Sequence, residues 1–285
     1  MTEFIYFGTP YVARDTLAAL VNAGYVPEVV ITSPDSPKGR GLTLTPCETK
    51  VWAIEHNIPV LSPEKLDEAF ITELSAYGCE YSIVVAYGKI IPQALIDAFP
   101  KGILNVHYSL LPKYRGASPV EMALWNNDEE TGVTIQQMVF ELDAGDILAQ
   151  EIVAIDPADT TLTLRPKLIT AGAKLLIKTL PSFLDGSVSR IAQDPNEATR
   201  TRKIRKDKGE LVLSAPALLN WHTYRALRES PGTYFFAEKD GKRIRVKITD
   251  ATLTDGEFQV LRIIPEGKSE QDFTYLAQTG WEPAL

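Results

Sequence analysis

The opening stretch constrains the fold more than any other part of the chain. Glu3–Phe7 (EFIYF) is a short apolar run closed by Gly8-Thr9-Pro10. Apolar residues then recur at helical spacing from Tyr11 to Asn22, and a second apolar run follows at Val26–Ser33. Strand, tight turn, helix and strand make a βαβ unit, whose crossover sets the two strands parallel in one sheet. Tyr81–Ala86 (YSIVVA) is apolar without alternation, as expected of a strand buried on both faces in the centre of a parallel sheet. Only one glycine stands in the first turn, so the GxGxxG dinucleotide fingerprint is absent and a nicotinamide-dependent oxidoreductase is disfavoured. The expected fold is α/β, with a Rossmann-like, mostly parallel sheet.

Between these strands the chain punctuates itself clearly. Ser33–Leu42 is too rich in proline and glycine for regular structure. Helices are expected at 48–57, 63–77, 93–99 and 119–125, and strands at 60–61, 103–107, 131–140 and 147–155. Residues 160–184 form one amphipathic stretch, but Pro166 lacks an amide hydrogen, so the regular helix is expected to begin there. Gly186 ends it. Beyond a helical stretch near 218–228, alternating runs at 233–237, 243–248 and 258–264, with a Lys239-Asp240-Gly241 hairpin turn, predict a small β-domain. A chain of 285 residues accommodates about two domains. We expect a catalytic domain over 1–186, a linker over 187–208 and a C-terminal β-domain over 209–285.

Bulk properties narrow the function classes. No apolar run approaches the roughly 20 residues of a membrane span. The N-terminus lacks a basic region and a cleavage signal, so a cytoplasmic protein is expected. Cys47 and Cys79 are isolated, without metal-ligand spacing, and are expected to be free thiols. A net charge of −8 argues at first against a nucleic-acid partner. However, residues 1–202 carry −9 and residues 203–285 carry +1, with a basic run from Arg200 to Lys206 at the junction. Such a run is usually a solvated linker face; the other reading is a strip that faces phosphates.

The chemistry concentrates in Gly102–Pro119, GILNVHYSLLPKYRGASP. Neighbours two apart on a strand share a face, so Asn105 and His107 project together. Downstream, Glu141-Leu142-Asp143-Ala144-Gly145-Asp146 is an acidic turn that brings a carboxylate within reach of that pair. An amide, an imidazole and a carboxylate suit proton handling beside a carbonyl. A strand histidine alone is more often a hydrogen-bonded core residue than a catalyst. The order of the whole string raises its weight.

That string resembles the signature of the folate-dependent formyltransferases: an Asn and a His two apart, a Ser-Leu-Leu-Pro turn, and an Arg-Gly-Ala segment. LDAGD at 142–146 is similar to the family's second signature, whose first aspartate completes a catalytic trio. The resemblance runs from the first strand to about Asp185 and resumes more weakly towards the C-terminus. It implies that Asn105, His107 and Asp143 are catalytic. It also implies that Tyr87, Gly88, Ile90, Ile91, Pro92, Ser109, Leu110, Leu111, Pro112, Glu141, Leu142 and Asp146 line the pocket of a 10-formyltetrahydrofolate cosubstrate. The Gly39-Arg40-Gly41 core of the 33–42 loop resembles the insertion by which the members acting on tRNA hold the acceptor end, and Arg115 joins these residues on the substrate side. Where that loop usually continues with lysines, this chain has Leu42-Thr43-Leu44.

The likeness to those members implies initiator methionyl-tRNA as partner, an open, OB-like β-barrel as the C-terminal domain, no metal, and a monomer. The formyl carbon would pass from N10 to a primary amine through a tetrahedral intermediate, its oxygen held by Asn105 and His107, with Asp143 assisting proton transfer. A nucleotide-sugar N-formyltransferase is the alternative of the same chemistry. A non-catalytic folate- or RNA-binding protein is the reading from another class.

Overall fold

The computed structural model describes residues 3–38 and 41–284. The βαβ unit forms where its pattern places it. β1 (Phe4–Gly8) is buried along its whole length, α1 covers Tyr11–Asn22, and β2 is a three-residue core strand, Val29–Ile31. The proline- and glycine-rich loop is more regular than expected. Its flanks pair antiparallel as β3 (Ser36–Lys38) and β4 (Thr43–Thr45), with Pro37 opposite Leu44, and Leu42 and Leu44 lie exposed. β-branched Thr43 and Thr45 suit a two-stranded ribbon, which the count of breakers had masked.

α2 (Glu48–Glu55), β5 (Val60–Leu61), α3 (Glu68–Ser75), β6 (Tyr81–Val85) and α4 (Gln93–Asp97) follow. α3 starts five residues later than its apolar pattern allows, because Asp67 caps it, its carboxylate accepting from the amide of Phe70. β7 (Gly102–His107), β8 (Arg115–Gly116), α5 (Pro119–Trp125), β9 (Glu130–Gln137) and β10 (Ile147–Ala154) complete the site-bearing region.

The principal sheet has seven strands in the order β10-β9-β7-β6-β1-β2-β5. From β5 to β7 all neighbours are parallel, whereas β9 runs antiparallel to β7. β1 has β2 on one side and β6 on the other, so strand order reverses there, and the crevice beyond the carboxyl ends of such strands is where open α/β sheets bind ligands. Beneath it lies a core of Ile5, Phe7, Val29, Ile31, Leu95 and Ile103.

α6 runs unbroken over Thr161–Leu184, through Pro166 rather than from it. Its first turn is secured before the proline is reached: the hydroxyl of Thr163 donates to Asp159 and accepts from the amide of Thr160. The missing amide of Pro166 therefore falls just beyond a turn that side chains already hold.

By Cα proximity the chain divides into two compact units. One holds the residues up to Gly116 together with Gly132–Val153 and Lys167–Arg200; the other holds Ala117–Thr131, Ala154–Pro166 and the residues from Thr201 on. After β11 (Arg200–Thr201), α7 (Ala217–Leu227), β12 (Thr233–Lys239), β13 (Lys242–Thr254), β14 (Glu257–Pro265), β15 (Gln271–Asp272), α8 (Tyr275–Thr279) and β16 (Glu282–Pro283) build the second unit's antiparallel sheet, in the order β15-β14-β13-β12-β16. Asp240 and Gly241, both at positive φ, make the expected hairpin turn; Asp255 and Gly256 make a second one between β13 and β14. The apolar faces close over Trp221, Tyr224, Phe235, Val246, Ile248 and Ile263. Among the described residues no helix is long and apolar enough to cross a membrane.

Candidate active site

β7 ends at the site. Period-2 alternation sends Asn105 and His107 to the same face, and they are only 9% and 7% exposed. Asn105 is flanked in register by Val84 of β6 and Gln136 of β9; His107 is flanked by Thr134.

The acidic turn between β9 and β10 delivers Asp143, whose side chain is 8% exposed and whose φ is +52°. A non-glycine residue rarely adopts that conformation unless its surroundings enforce it. Gly145 supplies part of the enforcement: a Cβ there would lie 1.7 Å from the carbonyl oxygen of Gln137, so only glycine lets the turn press against the end of β9. Thirty-eight positions from Asn105 along the chain, the carboxylate meets it in space. Asp143 Oδ1 accepts from Asn105 Nδ2 at 3.2 Å and from Gln136 Nε2 at 2.9 Å. Its Oδ2 accepts from the amide of Gly116 at 2.7 Å and lies 3.6 Å from His107 Nδ1. The carbonyl of Tyr114, 3.0 Å from His107 Nε2, can only accept, so Nε2 carries a hydrogen and Nδ1 is the nitrogen that faces the carboxylate.

Residues 187–208 contribute more than a connection. The backbone of Ile191 exchanges two hydrogen bonds with Ile147. Further on, the amide of Thr199 donates to Pro112 O, its carbonyl accepts from the Arg115 amide, and its hydroxyl accepts from the amide of Tyr114. Between these anchors, Gln193 Nε2 donates to the carbonyls of Asp143 and Gly145, and its Oε1 accepts from Arg115 Nε. Arg200, the first member of the basic run, is 2.6 Å from the Glu141 carboxylate.

The remaining expected site residues divide by environment. Tyr87 is buried, its hydroxyl has no partner among the described residues, and burial pushes its pKa up to about 12. Its carbonyl accepts from Thr9 and Ser33, which ties together the ends of β1, β2 and β6. Gly88 turns at positive φ, Ile90 is 84% exposed, Ile91 belongs to the core, and Pro92 caps α4. In the Ser-Leu-Leu-Pro turn, the Ser109 hydroxyl is consumed by the carbonyl of Lys113, while Leu111 is buried beside half-buried Leu110 and Pro112. Leu142 is 64% exposed, Glu141 is engaged by Arg200, and Asp146 uses its carbonyl to hold Gln137. Arg115 is buried against Gln193 and faces Glu141 at 3.8 Å. Gly41 sits exposed after the described gap; Gly39 and Arg40 lie outside the described residues.

Gln136 and Gln193 escaped the sequence reading. Gln136 carries a faint signal, a buried amide side chain near the end of a mostly buried strand. Gln193 carries none, because it lies in an irregular stretch and acts on backbone carbonyls. Among the described residues no group of three or more His, Cys, Asp or Glu side chains is placed to hold a metal ion.

The formyl transferase family model matches residues 3–180. The methionyl-tRNA formyltransferase of Geobacillus thermodenitrificans is 42% identical over 235 residues, which cover 82% of this chain and 74% of that protein. The protein of that name from Listeria welshimeri is 40% identical over 258 residues, 90% of this chain and 82% of its own length. Among solved structures, an N-formyltransferase from Helicobacter canadensis with folinic acid and dTDP-3-aminofucose aligns at a TM-score of 0.66 and 19% identity, covering 90% of this chain and 89% of that one. The methionyl-tRNA formyltransferase of Clostridium thermocellum aligns at 0.63 and 15% identity, covering 93% and 99%. At such identities the structures share the fold alone, but the family match extends over more than half of the chain and takes in β7 and the acidic turn, and on that ground the chain belongs to the formyl transferase family.

Proposed function

We propose that this protein transfers the formyl group of 10-formyltetrahydrofolate to the amino group of initiator methionyl-tRNA. The observation that carries this is identity of about 40% to proteins named methionyl-tRNA formyltransferase over 82–90% of the chain. The meeting of Asn105, His107 and Asp143 at the end of β7 supports the chemistry.

The amine attacks the formyl carbon, and the carbonyl oxygen becomes an oxyanion. Asn105 spends one amide hydrogen on Asp143 and keeps the other for that oxygen. The amine sheds a proton, which Asp143 takes and shares with His107 Nδ1 across 3.6 Å. The oxyanion then collapses, the bond from carbon to N10 breaks, and N10 takes the proton held between Asp143 and His107, so the donor leaves as tetrahydrofolate and the product is an N-formyl amide. His107, tied through Nε2 to Tyr114, keeps its ring in place throughout and, once protonated, adds positive charge beside the oxyanion. The pocket for the folate lies beyond the ends of β6 and β7, between Tyr87–Pro92 and the Ser109–Pro112 turn, with Glu141, Leu142 and Asp146 on the acidic turn. Arg40 and its glycines meet the tRNA.

Purified protein incubated with 10-formyltetrahydrofolate and either methionyl-tRNA or a nucleotide-linked amino sugar tests this directly. Formylmethionyl-tRNA is the expected product; formylation of the sugar alone would transfer the assignment to the sugar enzymes, whose solved structures at 18–19% identity share the fold. Asn105→Ala should lower kcat by about 10²–10³, the usual cost of one lost oxyanion donor. Asp143→Ala should lower it at least as far. Near-normal turnover in both variants would remove the trio from the mechanism.

A further inference from the structure

We propose that Gln193 is a positioning residue for formyl transfer, holding the Asp143 turn in the conformation that points its carboxylate between Asn105 and His107. This rests on the function proposed above. Three contacts leave the Gln193 amide no choice of orientation. The carbonyl of Asp143 lies 2.9 Å and that of Gly145 2.7 Å from one end, and neither can do anything but accept. The other end faces Arg115 Nε at 3.0 Å, which can only donate. A carboxylate in this place would satisfy the arginine and repel both carbonyls; an ammonium would do the reverse. Only an amide of this length satisfies all three.

The clamp grips the turn at the residue whose backbone conformation is least common for its side chain. Asp143 sits at φ +52°, in the left-handed region; elsewhere the turn is held by the Ala144 amide on Glu141 O, the Gln137 amide on Asp146 O and the Arg200–Glu141 ion pair, none of which binds the carbonyls of Asp143 and Gly145. Gln193 itself is held by flanking anchors on Ile147 and on Pro112 and Arg115. Thr199, eight positions from Ile191, also binds the amide of Tyr114, whose carbonyl meets His107. One short segment therefore reaches both halves of the carboxylate–imidazole pair, and it reaches the carboxylate through Gln193.

Three variants test this: Gln193→Ala, Gln193→Glu and, as a control on the same segment, exposed Asn196→Ala. The readouts are kcat and KM for both substrates, thermal melting, and the imidazole NMR signals. With three histidines in the chain, His56 and His222 act as internal references for His107. Displacement of a catalytic group by a fraction of an ångström to an ångström costs up to about 10²-fold, so both Gln193 variants should lose roughly 10- to 100-fold in kcat with KM unchanged. Their His107 signals should shift while those of His56 and His222 stay, and Asn196→Ala should match wild type. Gln193→Glu keeps the contact with Arg115 and should retain the fold even where the alanine variant does not. Wild-type kcat in the Gln193 variants, unmoved His107 signals, or loss of fold in both would overturn the proposal. If wild type itself forms no formylmethionyl-tRNA, the functional assignment fails separately, and the His107 signals still report whether Gln193 governs the turn.

Discussion

In the parallel-sheet unit, the buried polar side chains of the site gather at the end of one strand and are mostly neutral: Asn105, His107 and Gln136 around the single carboxylate of Asp143. In the second unit two guanidiniums stand out among the enclosed polar groups, and their hydrogen bonds fasten structure. Arg165 lies between Glu121 at 2.6 Å and Glu229 at 2.7 Å. Arg225, almost wholly enclosed, donates to the carbonyls of Asp159 and Asp156 and to the side chain of Asn127. Among the described residues the first arrangement leaves one amide hydrogen of Asn105 and the Gln136 acceptor unspent; the guanidiniums of the second fasten helices and loops together. Leftover capacity alone does not mark chemistry, since Glu121 Oε2 and the hydroxyls of Thr131 and Thr233 in the second unit also lack a partner among the described residues. What sets the first cluster apart is its convergence on one carboxylate.

This contrast can be broken most easily at Arg165. Arg165→Met should remove the cation that bridges two largely enclosed carboxylates and cost about 3 kcal/mol, read by chemical denaturation. A loss well below that would mean the second unit does not depend on its ion network. A smaller but sharper effect is expected at Gly145. Gly145→Ala meets the Gln137 carbonyl at 1.7 Å and should cost about 1–3 kcal/mol, with formyl transfer falling much further than stability because Asp143 moves with the turn. Equal losses of stability and of rate at fixed folded fraction would place the turn outside the chemistry. Smallest is Gly241→Ala in the hairpin of the second unit, at φ +72°, worth about 1 kcal/mol. Its kcat should equal that of wild type, and a change there would show that the antiparallel sheet bears on the reaction itself.

The two units also differ in how openly the sequence declared them. Lys239-Asp240-Gly241 announced its hairpin because Asp and Gly tolerate positive φ, a property of two adjacent residues. Continuous apolar runs announced β1 and β6 because a strand covered on both faces needs no polar side. The ribbon at the 33–42 loop is not legible locally, since its three residue pairs are stabilised across the chain rather than along it. The role of residues 187–208 was hidden for the same reason: Thr199 and Gln193 act on backbone atoms some fifty to eighty-five positions away.

Local chemistry alone determined that this chain builds a βαβ-based parallel sheet, that Asn105 and His107 share a strand face, and that an acidic turn follows. Each of those follows from the period of a strand or the preference of a turn. That Asp143 lands within hydrogen-bonding distance of Asn105, that Gln136 joins it, and that a clamp at Gln193 sets its angle were decided only in three dimensions. Such contacts cost loop-closure entropy over tens of residues and exist because the packed sheet, not the local chain, supplies the compensating free energy.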